Sequence, residues 1–197
     1  MMILPPDFSE FPVLESTRLR LRRPIEADAA DILLFRSDPE VMQYIPRPLA
    51  TSISDVMVFL NIMEESLAKN ERINWAIEWK ETGTVVGMIS LVKILPEHAR
   101  AEVGYSLSKA WFRRGICSEA LEAVANYCFN TLLCHSLEAI IDAENEASAG
   151  LLRHFGFRQE AYFLEDFFYD RVFRNSIHFG LLKREWLEKS SVSPSKL

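Results

Sequence analysis

The residues best suited to chemistry fall in one stretch, Glu102–Ala120, which reads E-V-G-Y-S-L-S-K-A-W-F-R-R-G-I-C-S-E-A. Arg113, Arg114 and Gly115 stand together there, followed by Ile116 and the small Cys117 and Ser118. Arginines supply fixed positive charge, and a glycine lets a ligand come close to the backbone. A helix starting at Ile116 would add unpaired N–H groups and a partial positive charge. Together these suit a phosphate or pyrophosphate. The same residues also suit a plain strand-to-helix connection in which Gly115 serves only the turn, and a short glycine motif does not separate the two. His98, His135, His154 and His178 share no metal-ligand spacing, and neither do Cys117, Cys128 and Cys134, so no metal site is expected. Cys117 at a helix start has the position of a low-pKa thiol. A pyrophosphate beside it would disfavour the thiolate, which makes small size the better reason for a cysteine there.

The elements that must position this stretch follow from periodicity. Ala101–Leu107 alternates and carries Val, Tyr and Leu, as a strand does. From Ile116 the apolar residues fall at Ile116, Ala120, Ala123, Val124, Tyr127 and Cys128, one face of a helix. Upstream, residues 1–13 are expected as an irregular arm, because Pro5, Pro6 and Pro12 oppose regular structure. Thr17–Arg23 alternates as a half-buried strand, its arginines on a solvated face rather than in an RNA-binding stripe. Glu26–Phe35 reads as a helix, Ser37–Leu49 as a broken helix or loop around its prolines, and Ser54 to about Lys69 as a second helix. Ile73–Trp79 and Val85–Val92 form a hairpin across K-E-T-G-T, with Ala99–Leu107 as the next antiparallel strand. Gly87 and Gly104 inside strands indicate close backbone approach or a bulge. Ser136–Ile141 is a short strand, Ala147–His154 a helix ended by Gly156, and Arg158–Phe168 and Val172–Leu182 are two strands joined by a turn. Residues 188–197 are expected as a flexible polar tail.

Composition sets the class. At 197 residues, 49% hydrophobic and 25% charged, the chain suits one globular domain, placed at 14–187. A net charge of −6 argues against a nucleic-acid binder and is compatible with a cationic amine. No apolar run reaches the ~18 residues that span a membrane. The opening M-M-I-L-P-P-D-F-S-E has neither the basic start nor the apolar core of a signal peptide. An odd cysteine count without pairing or ligand spacing is read as reduced thiols in a cytoplasmic protein, monomer or homodimer.

Two separated motifs resemble the GCN5-related N-acetyltransferases (GNAT), and among them the Rim-type branch that acetylates ribosomal-protein N-termini. Glu102, Val103, Gly104, Tyr105, Arg114, Gly115, Cys117, Ser118, Glu119 and Ala120 match the branch's E-I-G-Y…W-G-K-G-Y-A-T-E-A segment. Phe112 and Cys117 depart from it, the latter standing where Gly or Ala is usual. The second motif, N-x-x-S…L-x-x-x-G-F, lies in residues 142–157, and the opening L-E-S-T-R-L-R-L-R-R-P…D-A-A-D is similar to the family's first strand and helix. The resemblance implies an α/β fold (α+β): a twisted, mixed, mostly antiparallel sheet flanked by helices. It further implies a splayed strand pair that admits acetyl-CoA.

The roles that the resemblance implies are specific. The loop from Arg113 through Arg114, Gly115, Ile116 and Cys117 to Ser118 holds the pyrophosphate, and the backbone of Tyr105, Ser106 and Leu107 pairs with the pantetheine arm. Asn145 reaches the same arm, although an asparagine there also suits a helix cap. The helical pair upstream walls the acceptor site, where Tyr44 and Met42 either touch substrate or pack. A backbone N–H near a bulge in Glu102–Leu107 meets the oxyanion. Glu102 takes the amine's proton, through water. Many relatives place a tyrosine acid seven residues after the asparagine, but that position here is Leu152. Ser148 therefore becomes the group that stabilises the leaving thiolate. The expected activity is acetylation of a primary amine, foremost the α-amino group of a ribosomal protein. Acetylation of a small amine (polyamine, amino acid or antibiotic) and a non-catalytic acetyl-CoA-binding domain are the alternatives.

Overall fold

Alternating apolar residues build one eight-stranded sheet in the computed structural model, which describes residues 6–192. Residues 1–5 of the expected arm and 193–197 of the expected tail lie outside the described residues. The strands are β1 (Leu14–Glu15), β2 (Leu19–Arg22), β3 (Ile73–Trp79), β4 (Thr84–Leu95), β5 (Arg100–Leu107), β6 (Ser136–Asp142), β7 (Arg158–Tyr169) and β8 (Val172–Leu182). Their order is β1-β2-β3-β4-β5-β6-β8-β7, and every neighbouring pair is antiparallel except β5–β6. The fold is thus the mixed, mostly antiparallel α/β arrangement that the sequence led us to expect.

Helices cover both faces. On one face α1 (Ala29–Arg36) and α3 (Ile53–Ala68) pack Ile32, Phe35, Val56 and Leu60 against Ala76, Val85 and Met88. Ser52 caps α3, accepting from the Asp55 N–H while the Asp55 carboxylate accepts from the Ser52 N–H. Between them the proline-rich segment makes one helical turn, α2 (Pro39–Met42), capped by Asp38. On the other face α4 (Ile116–Asn126) buries Ile116, Ala120, Leu121 and Val124 against the larger core around Trp75, Ile77 and Ile89. The helix then widens to a π-helical turn at Tyr127–Thr131, and α5 (Glu146–Phe155) ends at Gly156, whose φ is +107°.

Three expectations are corrected. The β2 arginines are not simply solvated: Arg22 pairs with Asp28 at 2.7 Å and with Glu78, and Arg23 pairs with Glu64. The polar end of the chain is not a tail from residue 188, because α6 (Lys183–Val192) continues through it. Trp186 anchors that helix, buried against Phe155 at 5.2 Å between ring centroids. Finally, the bulge near Glu102 lies on the facing strand, where β4 carries Val92 as an extra residue between the pairs Leu91–Val103 and Lys93–Glu102. Gly87 does mark a close approach, since a Cβ there would lie 2.9 Å from the Leu107 Cα and closer still to the Ser106 carbonyl oxygen.

Candidate active site

The site begins with an unfinished strand pair. β5 and β6 are joined only at Arg100–Ser136, Ala101–Leu137 and Glu102–Glu138. Beyond Glu102 they part, so Val103–Leu107 and Ala139–Asp142 each face the gap with an edge that no strand completes. Backbone N–H and C=O groups require partners. An extended ligand that carries amides can supply them, as an added strand does.

The loop that enters α4 lies beyond the C-terminal end of β5. Gly115 is the helix N-cap, with φ +73° and no side-chain cap, which leaves the first N–H groups of α4 uncapped. Arg113 also adopts a left-handed φ of +59°, an uncommon conformation for a side chain of its size. The Arg114 guanidinium lies 4.9 Å over the Trp111 ring. Neither Arg113 nor Arg114 pairs with a carboxylate among the described residues. The loop is tied down from the connection between β1 and β2: Arg18 Nη1 donates to the Arg114 carbonyl at 3.1 Å, and its Nε donates to Glu119 at 2.7 Å. Glu119 further accepts from the Arg18 N–H and the Ser16 hydroxyl, both at 2.8 Å. Burial works against its ionisation, but these hydrogen bonds outweigh it and hold the carboxyl below its usual range. Burial pushes the Cys117 thiol up to about 12, so it is not a reactive thiolate.

At the mouth of the strand gap is a cavity of about 270 Å³, lined by Glu102, Tyr105, Ser106, Asn145 and Ser148 together with residues of α1, α3 and the loop after α2. Burial, and then the nearby Glu138, raise the Glu102 pKa, while Lys93 and Arg72 oppose the shift. Asn145 caps α5, its Oδ1 accepting from the Ser148 N–H at 3.0 Å. The Ser148 Oγ lies 2.7 Å from the Tyr105 hydroxyl. Burial raises the Tyr105 pKa well above its ordinary value, so that phenol stays neutral, and either hydroxyl can donate to the other.

Comparison with known proteins settles the family. The model of the acetyltransferase (GNAT) domain matches residues 18–158. The chain belongs to the GNAT family. It is 32% identical over 150 residues to the N-acetyltransferase YoaA of Bacillus subtilis, covering 76% of this chain and 85% of that one. It is 30% identical over 105 residues to the spermidine N(1)-acetyltransferase of Escherichia coli, covering 53% and 56% respectively. In structure it is similar to Mycobacterium smegmatis RimJ in complex with CoA-disulfide, with a TM-score of 0.80 and 18% identity over 92% of this chain and 94% of that one.

A GNAT enzyme uses acetyl-CoA as acyl donor, and the residues present fit that molecule. Free strand edges suit its amide-bearing arm, while an uncapped helix start with two unpaired arginines suits its pyrophosphate. Of the residues singled out in the sequence, Glu102, Tyr105, Ser106, Asn145 and Ser148 meet in one cavity. Arg113, Arg114, Gly115, Cys117 and Ser118 form the separate loop. Leu107 and Ile116 send their side chains into the core, leaving only backbone to a ligand. Tyr44 lines the cavity, whereas Met42 is buried packing. Several residues escaped the sequence reading. Arg18 and Ser16 anchor the loop through Glu119, whose signal in the sequence is only a motif match. The Tyr105 side chain joins Ser148, and Arg36, Arg47 and Arg72 line the cavity. The strict alternation around Arg18 pointed to a half-buried strand with its arginines on a solvated face, but not to what that face meets.

Proposed function

We propose that the protein transfers the acetyl group of acetyl-CoA directly to a primary amine in a ternary complex, and that the amine is the α-amino group of a protein N-terminus. The observation that carries this reading is the convergence of Glu102 and the Tyr105–Ser148 hydroxyl pair on one cavity that opens into the unpaired β5–β6 gap. Acetyl-CoA, when bound, supplies the thioester carbon that the amine attacks.

The residues divide the work. The free β5 edge and Asn145 orient the donor's arm, and Arg113–Ser118 anchors its phosphates. A terminal α-amine has a pKa of about 8, so a minority is already neutral at pH 7. Glu102 removes a proton from the remainder, through water, and its raised pKa brings it nearer to a working base. A β5 N–H left free by the parting of the strands stabilises charge on the acyl oxygen. The Ser148 hydroxyl, oriented by Tyr105, stabilises charge on the departing sulfur. Leu152 is fully buried and takes no part.

The modest cavity and the likeness to a spermidine acetyltransferase support a small amine as the second reading. A turnover screen that sets N-terminal peptides beside amino acids and polyamines decides between them. Tight acetyl-CoA binding without acetylation of any amine would overturn the enzymatic reading.

A further inference from the structure

The arginines of this chain fall into two groups. Arg18, Arg20, Arg22, Arg23, Arg100, Arg153, Arg158 and Arg174 each pair with a carboxylate. Among the described residues, those without such a partner are Arg113 and Arg114 of the phosphate loop, Arg171 in the β7–β8 turn, Arg184 on α6, and Arg36, Arg47 and Arg72. The last three line the acceptor cavity, and no residue of the phosphate loop does. The donor's phosphates therefore do not account for them.

Water does not fully serve Arg36, whereas Arg47 stays exposed at the rim of the cavity. Arg36 comes from the end of α1, its guanidinium 4.3 Å over the Phe59 ring and its Nε buried without a hydrogen-bond partner. Arg47 reaches in from the loop after α2. Burial, and then the neighbouring Arg47, disfavour the charge on Arg36, while Tyr169 favours it; partial burial, and then Arg72, disfavour that on Arg47. Asn74 adds a neutral donor: it is 6% exposed and lines the cavity, and its Nδ2 has no partner while its Oδ1 accepts from Ser90 at 2.7 Å. Arg72 donates its Nε to the Val92 carbonyl at 3.1 Å and favours the charged form of Glu102. Neighbouring cations, one with a buried unpaired Nε, and a buried unpaired amide donor are costly unless an anion completes them.

The cavity therefore has a carboxylate at the transfer end and uncompensated donors on its acceptor wall. We propose that it selects an acceptor that carries a carboxylate as well as its amine, held by Arg36, Arg47 and Asn74, and that it discriminates against polyamines. This rests on the acetyl-transfer reading above and specifies its substrate class. Two sources supply that chemistry: an acidic side chain near a protein N-terminus, or the α-carboxylate of a free amino acid.

The test compares acceptors that differ only in the anion. N-terminal peptides with glutamate or glutamine in their first three residues form one arm, free amino acids beside their amides the second, and spermidine the third. The carboxylate member of a pair should have the higher kcat/KM by roughly ten- to hundredfold, the effect of one charge-assisted hydrogen bond in a desolvated site. The arm that shows the preference identifies the source. Arg47→Gln should shrink the acid-to-amide ratio about tenfold, and Arg47→Glu should move the preference toward spermidine. Equal turnover of acid and amide by the parent, or a ratio unmoved in both variants, overturns the inference and leaves the acetyltransferase reading standing. If no amine is turned over, calorimetry with acetylated acidic peptides and amino acids against their amides still decides. Tighter binding of the acid supports the inference, and equal binding ends it.

Discussion

Ser148→Ala and Tyr105→Phe test whether two hydroxyls act as one unit. In the parent their oxygens are 2.7 Å apart, and Ser148 is held in the first turn of α5 by its N–H bond to Asn145 at 3.0 Å. Removing either hydroxyl leaves the other in place but without the partner that orients it. A hydrogen bond to a charged group contributes ~1.5–3 kcal/mol, so each single variant should lose roughly ten- to hundredfold in kcat. Acetyl-CoA affinity should barely change, because the bond strengthens only as charge grows on sulfur. The double variant should be scarcely slower than the worse single one, as expected of residues that act together. The raised Tyr105 pKa keeps the phenol protonated across the assay range, so the loss should be the same at pH 6 and pH 9. The assay is CoA release under saturating substrates, with rapid quench to establish that chemistry limits turnover. An unchanged kcat in both single variants would mean that solvent protonates the thiolate. Losses that simply multiply in the double variant would mean that the two hydroxyls do not act as one unit.

The other predictions concern the base, the phosphate loop and the strand crossing. Glu102→Gln should slow the reaction most between the raised Glu102 pKa and about pH 8, where the base is ionised but the amine is still largely protonated, with the difference fading above that. A pH–rate profile that coincides with the parent's assigns Glu102 to structure. The same carboxyl also leaves a mark on stability. Its folded pKa exceeds its unfolded one, so the folded state binds more protons between the two values and stability falls as pH rises through that window. Glu102→Gln should remove that part of the decline in thermal melts. Gly115→Asp brings a carboxylate to the loop and should weaken acetyl-CoA binding by roughly tenfold or more; unaltered affinity in the folded variant rejects the loop as the phosphate site. Gly87→Ala drives a methyl group into the β5 backbone at Ser106 and Leu107, and overpacking of this kind costs about 1–3 kcal/mol. A melting temperature equal to the parent's would show that β5 yields without cost.

Local pattern determined much of this protein. Period-two alternation located β2 and β5, because a strand with one face buried must alternate, while β3 and β4, buried on both faces, were legible as a hairpin across their turn. The spacing from Ile116 to Val124 located α4, and Gly115 and Gly156 marked helix ends through backbone conformation, which is local, whereas the cap of α3 is Ser52 and not the expected Ser54. Asn145 was legible as a cap for the same reason. What remained hidden depends on residues distant in the chain. Trp186 gains a reason to lie in a helix only when Phe155 is beside it, which a polar C-terminal segment does not disclose. The bulge falls on β4 rather than β5, because register is a property of a pair and not of one strand. Glu119 is an ordinary first-turn acid until the connection between β1 and β2 brings Ser16 and Arg18 to it across about a hundred residues. Tyr105 and Ser148 are 43 positions apart and meet only because β5 and the start of α5 flank the same gap. Arg36, Arg47 and Arg72 look in sequence like three unrelated surface cations. Only the folding of α1, the loop after α2 and the start of β3 around one cavity makes them a single field of positive charge, since electrostatic neighbours are set by distance in space and not along the chain.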